Sequence, residues 1–343
     1  MKIDFPVSID ISDSESGTND FESNLNQAIK GELFILCGPG FSHKIALNLI
    51  EKYNLKPNTI VIVNSNSLNE VATLEKTINS SVYTILGIGG GKVCDFSKRL
   101  SYLTQANLIL YPTVVSNDGL ISPISVLTDG DKTCSLPGKM PEHVFIDLDI
   151  IRSAPEKYIV AAALDLLSNI SATSDWHHAA ENGDSKLNFL AYQFSRIAAY
   201  QLLDCVSWEI NAPEFLRAVI HGQILSAMAM AYAGSSRPCS GSEHLISHAF
   251  DELGISREIL HGEKVGRATL FILFLQGKNT QKIKQLFEKF QINKTLLDGV
   301  MSDDLLLRVF NSARNTRPGR RTIMDNFSDK ELLIKYRQFE IEI

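Results

Sequence analysis

The chain has 343 residues, 44% of them apolar, which is enough for two domains and a substantial buried core. A net charge of -6 and a pI near 5.8, with no run of Lys or Arg, argue against a nucleic-acid binder or a basic membrane-surface patch. The five cysteines (Cys37, Cys94, Cys134, Cys205 and Cys239) form no C-x-x-C pair, and the apolar run "ATLFILFL" is too short to span a bilayer. The expectation is a cytoplasmic protein with free thiols, no nucleic-acid partner and no membrane insertion.

The opening residues, through "DISDSESGTNDFESN", are polar and read as a loose lead-in. From residue 31 to about 150, the short β-rich runs "ELFILCG", "TIVIVN", "VYTILGIGGG", "NLILYP" and "HVFIDL" alternate with amphipathic stretches. Such alternation predicts a doubly wound, largely parallel sheet. Within it, "ISVLTDGDKTCSL" has Asp129-Gly130 between two alternating runs and predicts a β-hairpin laid on that sheet. After residue 151 the texture becomes helical, in "PEKYIVAAALDLLSNISATSDWHHAA", "APEFLRAVIHGQILSAMAMAYA" and "GRATLFILFLQ". The predicted organisation is an α/β domain over 1–150 and an all-α domain over 151–343.

In "TILGIGGGKVCD" a β-run ends in glycines and a helical pattern begins near Lys92. Backbone N–H groups at such a turn approach a ligand closely, and a helix N-terminus favours phosphate. The spacing departs from the strict dinucleotide fingerprint and also suits a plain strand-to-helix turn. A second strand end, "LILYPTVVSNDGLISP", carries Thr113, Ser116, Asp118 and Ser122 where open α/β sheets bind ligands. After "TIVIV" no acid stands ready for a ribose 2′-hydroxyl, so a 2′-phosphate is tolerated.

Asp165 lies within the apolar run "ALDLLSN", where a buried carboxylate needs a compensating partner. In "RPCSGSEHLISHAFD", Ser240 and Glu243 form an S-x-x-E capping pattern, and the helix it opens places His244 and His248 one turn apart on one face. His261 follows in "ILHGEKVG". Two histidines and a carboxylate around a divalent cation leave a position for water or substrate, which is the catalytic arrangement. The same spacing also suits a surface histidine pair, with Asp165 facing an arginine or a backbone N–H. The arginines Arg314, Arg317, Arg320 and Arg321 suit either a phosphate or surface ion pairs.

The motifs "GIGGGKVCD", "YPTVVSNDGLISP", "ALDLLSN", "SEHLISHAFD", "HGEKVG" and "TRPGRRTIMD" occur in an order that resembles the sn-glycerol-1-phosphate dehydrogenases. These belong with the iron-containing alcohol dehydrogenases, glycerol dehydrogenase and 3-dehydroquinate synthase. The resemblance implies a Rossmann-like N-terminal domain, an all-α C-terminal domain and a dehydroquinate synthase-like fold. It implies that Asp165, His244 and His261 bind zinc, with iron or nickel as alternatives, and that Asp118, Asp165 and His248 contact the substrate. Asp118 and His248 are then the catalytic candidates, His248 as proton relay or as hydrogen-bond partner. The dinucleotide, NAD or NADP, would lie against Gly89, Gly90, Gly91, Lys92, Val93, Thr113, Ser116 and Ser122. The implied reaction is reduction of dihydroxyacetone phosphate, a small phosphorylated three-carbon substrate, to sn-glycerol 1-phosphate by a homo-oligomer. Asn117 stands where histidine is common in the family, and Leu164 where glycine is usual. The alternatives are another metal-dependent polyol dehydrogenase and a cyclase like 3-dehydroquinate synthase.

Overall fold

The computed structural model describes residues 8–13, 20–78, 83–115, 120–130 and 132–343. The chain divides into two compact units, Met1–Glu156 and Lys157–Ile343.

In the first unit, strands β1 (Ser8–Ser12), β2 (Glu32–Cys37), β3 (Pro57–Ile62), β4 (Tyr83–Gly89), β5 (Asn107–Pro112) and β8 (His143–Asp147) form a six-stranded sheet in the order β1-β8-β5-β4-β2-β3. Each pairing in it is parallel. The connecting helices are α1 (Asp20–Ala28), α2 (Phe41–Lys52), α3 (Leu68–Glu75) and α4 (Gly91–Thr104), with α5 (Leu148–Ser153) after β8. β4 is buried along its whole length, whereas β3 at the edge is largely exposed, as a sheet covered on both faces requires of its centre and not of its rim. Leu33, Ile35, Leu86, Ile88, Ile109, Tyr111 and Phe145 build the core on one side.

Two expectations need correction. The opening segment is not all loose lead-in: Ser8–Ser12 pairs in parallel with β8, from Ser8 opposite His143 to Ser12 opposite Asp147. Its "SIDIS" has too few apolar residues to stand out, because an edge strand buries little of either face. The hairpin forms as β6 (Ile124–Asp129) and β7 (Lys132–Pro137), but as a separate two-stranded sheet rather than on the main one. It is tied to α4, whose fully buried Lys98 donates to the Ile124 carbonyl and pairs with Asp95 at 2.8 Å. Asn66 also donates to the Val126 carbonyl at 2.9 Å. A buried ammonium needs such acceptors, so Lys98 fixes where the hairpin sits.

The second unit is built from α6 (Glu156–Glu181), α7 (Phe189–Leu203), α8 (Pro213–Ala233), α9 (Ser242–Glu252), α10 (His261–Leu275), α11 (Gln281–Lys289), α12 (Asp303–Thr316) and α13 (Asp329–Glu342), with a 3-10 turn at Ile323–Asn326. α6 carries a long run of buried residues from Ile159 to Ala179, which marks it as the central helix of this unit. No helix among the described residues is long and apolar enough to cross a membrane.

Candidate functional site

Three helices of the second unit bring the candidate ligands together. Asp165 lies in the first half of α6, His244 in the first turn of α9, and His261 is the first residue of α10. The close approach of α10 to α6 depends on small residues. A Cβ on Gly262 would fall 2.0 Å from the Ala161 carbonyl oxygen, and one on Gly266 would fall 2.6 Å from the Leu164 Cβ. Leu164 is thereby packed against a glycine of the facing helix.

His244 Nε2 lies 3.5 Å and His261 Nε2 3.9 Å from Asp165 Oδ1. One donor atom from each of the three residues falls within 4.8 Å of the other two. The other nitrogen of each ring is engaged elsewhere. His244 Nδ1 meets Glu243 Oε1 at 3.0 Å, and His261 Nδ1 meets Ser247 Oγ at 3.3 Å. A carboxylate opposite Nδ1 assigns the His244 proton to that nitrogen and leaves Nε2 as a lone-pair donor. Burial holds the His244 imidazole down at about 3, helped by the charges of Arg317 and Arg320. Burial, then His244, His248, Lys264 and Arg317, holds His261 well below its ordinary value. Neutral imidazoles and a carboxylate are the donor set that a divalent cation takes, so the residues present fit a catalytic metal.

His248, one turn beyond His244, has its ring centroid 6.3 Å from that of His244 and 6.0 Å from that of His261. Its imidazole is also held at about 3, by burial first and then by His244 and Arg317. The Arg317 Nη2 lies 3.5 Å from His248 Nε2. A guanidinium offers donors only, so Nε2 accepts and the Nδ1–H of His248 is its donor.

The start of α9 differs from the sequence expectation. The cap is Gly241, not Ser240, and no side chain caps the helix. Glu243 instead reaches back to the Gly241 N–H at 2.6 Å and accepts from the Ser171 hydroxyl at 2.8 Å. Fully buried, its carboxyl is pushed up to about 7, chiefly by burial. Sequence reasoning missed its position behind His244; the adjacency in "S-E-H" was the available signal. Asp175 was missed as well. It is buried, accepts from the Ser242 N–H at 2.8 Å, the Ser242 hydroxyl at 2.6 Å, Gln276 at 2.8 Å and the Ile323 N–H at 3.1 Å, and so ties the start of α9 to α6.

The arginine cluster divides. Arg314 pairs with Asp325 at 3.4 Å and Asp329 at 3.0 Å, and Arg321 donates to Asn326 at 3.2 Å. Arg317 and Arg320 turn instead to Ser236, at 2.8 and 2.9 Å.

In the first unit, Gly89 ends β4, Gly90 caps α4, and Gly91, Lys92 and Val93 form its first turn, which contains no acid. Thr113, just past β5, donates its N–H to the Gly89 carbonyl at 3.0 Å, so the two strand ends lie side by side. A Cβ on Gly89 would come within 2.6 Å of the Val93 Cγ2; this glycine is needed for α4 to pack on its strand. Ser122 is fully buried, accepting from Lys98 at 3.4 Å and donating to the Ile124 carbonyl at 3.3 Å. Ser116, Asn117 and Asp118 lie outside the described residues. A separate cavity of about 610 Å³ in the second unit, lined by Tyr192, Arg196, Tyr200 and Lys278 among others, includes none of Asp165, His244 or His261.

The family model for iron-containing alcohol dehydrogenase matches residues 19–155. The structure resembles a probable glycerol dehydrogenase from Sinorhizobium meliloti with a TM-score of 0.76 at 18% identity, covering 100% of this chain and 99% of that one. It resembles a sulfoacetaldehyde reductase from Bifidobacterium kashiwanohense, solved with NAD+, with a TM-score of 0.70 at 16% identity and 98% of each chain. The fold is therefore that of the iron-containing alcohol and glycerol dehydrogenases. The sequence is 35% identical to the glycerol-1-phosphate dehydrogenase [NAD(P)+] of Pyrococcus furiosus over 77% of each chain. It is 32% identical to that of Methanosphaera stadtmanae over 86% of this chain and 85% of the relative. The chain belongs to the glycerol-1-phosphate dehydrogenase family.

Proposed function

We propose that this protein catalyses the NAD(P)H-dependent, metal-dependent reduction of dihydroxyacetone phosphate to sn-glycerol 1-phosphate. The observation that carries the reading is the convergence of Asp165, His244 and His261, with His248 beside them, in a chain 35% identical to a glycerol-1-phosphate dehydrogenase. Asp165, His244 and His261 would hold a divalent cation, which would supply Lewis acidity for the ketone, and a nicotinamide would supply the hydride. Zinc suits the nitrogen and oxygen donors, with iron or nickel as alternatives.

The chain's own groups set the rest. Glu243 and Ser247 hold the two ligand imidazoles by their Nδ1 sides, so that both present Nε2. His248 offers its Nδ1–H to a substrate oxygen and is the candidate donor or relay for the proton that the product alcohol needs. The first turn of α4, with Lys92 and no acid, suits the dinucleotide phosphates, and Thr113 adds a hydroxyl beside it. Asp118 and Ser116 complete the substrate and dinucleotide sets on this reading. A homo-oligomer belongs to it as well, supported by the exposed Phe189, Leu190 and Ile197 on α7; a monomer in light scattering would remove that part. A cytoplasmic location is part of the reading too, in keeping with five cysteines of which none is in a disulfide.

The test is NADH and NADPH oxidation with dihydroxyacetone phosphate, by zinc-loaded and chelator-treated protein, with the configuration of the product assigned. Metal-dependent formation of the sn-1 product supports the reading. Folded, metal-loaded protein without turnover overturns it.

A further inference from the structure

Resting on that reading, we infer that Arg317, Arg320 and Ser236 form the subsite for the phosphate group of the substrate. The two guanidiniums converge on one small oxygen: Arg317 Nη1 and Arg320 Nη2 both donate to Ser236 Oγ, at 2.8 and 2.9 Å. Arg320 also donates to the Ser240 carbonyl at 2.7 Å. These acceptors are neutral, and among the described residues no carboxylate lies within ion-pair distance of Arg320. Arg314, six residues before Arg320, shows the contrast, since it is held by Asp325 and Asp329. Two cations brought together on a hydroxyl repel each other, and an anion between them removes that cost.

The chemistry selects phosphate. A guanidinium carries five N–H donors in a planar fork, and Arg320 spends two bonds on Ser236 and Ser240, which leaves N–H groups for a tetrahedral oxyanion. Burial, Arg317 and Arg237 together push the Arg320 guanidinium down to about 9, the mark of a site crowded with positive charge in a protein of net charge -6. Position gives the link to the reaction. Arg317 Nη2 is 3.5 Å from His248 Nε2, and the His248 ring is 6.0 Å from that of His261. One imidazole thus separates the guanidiniums from the metal ligands. A ketone and a phosphate ester on adjacent carbons span such a gap, with the carbonyl at Asp165, His244 and His261 and the phosphate at the arginines.

The experiment compares wild type with Arg317→Met, Arg320→Met and Arg320→Lys as zinc-loaded enzymes, with zinc content and near-ultraviolet circular dichroism as checks on folding. Binding of inorganic phosphate is measured calorimetrically, and kcat/KM is measured for dihydroxyacetone phosphate and for unphosphorylated dihydroxyacetone. The Met variants are expected to lose phosphate binding and to raise KM for the phosphorylated ketone by about 10- to 100-fold, the range for a charge-assisted hydrogen bond. Turnover of dihydroxyacetone by Arg320→Met, which leaves the Arg317 contact with His248 in place, stays within about threefold, and Arg320→Lys recovers part of the phosphate affinity because it keeps the charge without the fork. An equal fall for both ketones in Arg320→Met overturns the proposal, since it marks a structural role. So does phosphate binding that survives both Met substitutions, or that is lost instead on Arg196→Met in the separate cavity. A rise in the dinucleotide KM alone assigns the arginines to the cofactor's phosphates and likewise overturns it. If wild type binds phosphate through these arginines yet does not reduce dihydroxyacetone phosphate, the anion subsite stands and the proposed reaction falls.

Discussion

Glu243 offers the sharpest separation between holding the fold and holding the metal. Its Oε1 serves the Gly241 N–H at 2.6 Å and His244 Nδ1 at 3.0 Å, while Oε2 accepts from the Ser171 hydroxyl at 2.8 Å. In Glu243→Gln every partner remains satisfied. The amide oxygen replaces Oε1, and the NH2 donates to Ser171, whose hydroxyl already lies 2.9 Å from the Ser168 carbonyl and turns its proton there. Stability should therefore change by less than about 1 kcal/mol, but at a pH above about 7, where the Glu243 carboxyl is ionised, the negative charge behind His244 is gone. Zinc affinity should fall about 10-fold or more, within the 10- to 100-fold range for an outer-shell partner. In Glu243→Ala two buried donors, the Gly241 N–H and the His244 Nδ1–H, lose their acceptor, at roughly 1 to 3 kcal/mol each before any water enters, while the Ser171 hydroxyl keeps the Ser168 carbonyl. That variant should lose about 2 kcal/mol or more of stability as well as zinc affinity. The assays are competition against a chromophoric chelator and urea unfolding in matched buffers. If Glu243→Ala is destabilised yet binds zinc as tightly as wild type, Glu243 only buttresses α9 and the argument about the imidazole is refuted.

Asp165→Asn keeps the shape of the side chain but removes its charge, so zinc affinity should fall by more than the roughly 100-fold upper range for an outer-shell partner. A chelator should lower the unfolding midpoint of wild type and not of this variant; equal shifts would remove Asp165 from the site. Gly266→Ala places a Cβ 2.6 Å from that of Leu164 and should cost about 1 to 3 kcal/mol, falling below about 0.5 kcal/mol in a Leu164→Gly background. Additive effects in that double-mutant cycle would show that the two positions do not meet. Asp175 is raised from 3.8 to about 6, first by burial and then by Glu243, so its contribution is complete below pH 3.8 and is lost as the pH rises through about 6. On the order of 3 kcal/mol of wild-type stability should disappear between pH 4 and pH 7 relative to Asp175→Asn, with Glu243 and Arg237 as the charged neighbours. A pH-independent difference in guanidinium unfolding energies would contradict this.

Much of the architecture was legible because hydrophobic period is a local property. The runs that became β2, β4 and β5 are apolar over most of their length, as central parallel strands must be, and α6 reads as buried from its alanines and leucines. β1 was not legible, since its five residues gain their order from pairing with β8 more than 130 residues away, which no local pattern reports. The hairpin was legible as a hairpin but not in its seat, which depends on a lysine hidden in α4. At the site, the histidine spacing and the isolated Asp165 pointed to one centre. Glu243 was misread because a glutamate near a helix start has an ordinary explanation as a cap, and only the third dimension shows that the same carboxylate also backs a ligand imidazole.

Leu164 shows how bulk at a helix crossing bears on the residue beside it. Beside Asp165, a leucine adds volume where helices cross, and overpacking there would push Asp165 away from the imidazoles. The facing residue is Gly266, with the space for its absent Cβ taken by Leu164, and Leu164 itself is fully buried. One turn earlier on α10, Gly262 admits the Ala161 carbonyl. The crossing of α6 and α10 is thus set by where the bulk lies, not by how much there is. His261 opens α10 immediately before Gly262, so whatever changes that crossing changes the position of its imidazole. Substrate selection in this chain should consequently be sought at the arginines and at the segment carrying Asn117, rather than at Leu164, whose added volume is absorbed within the helix pair.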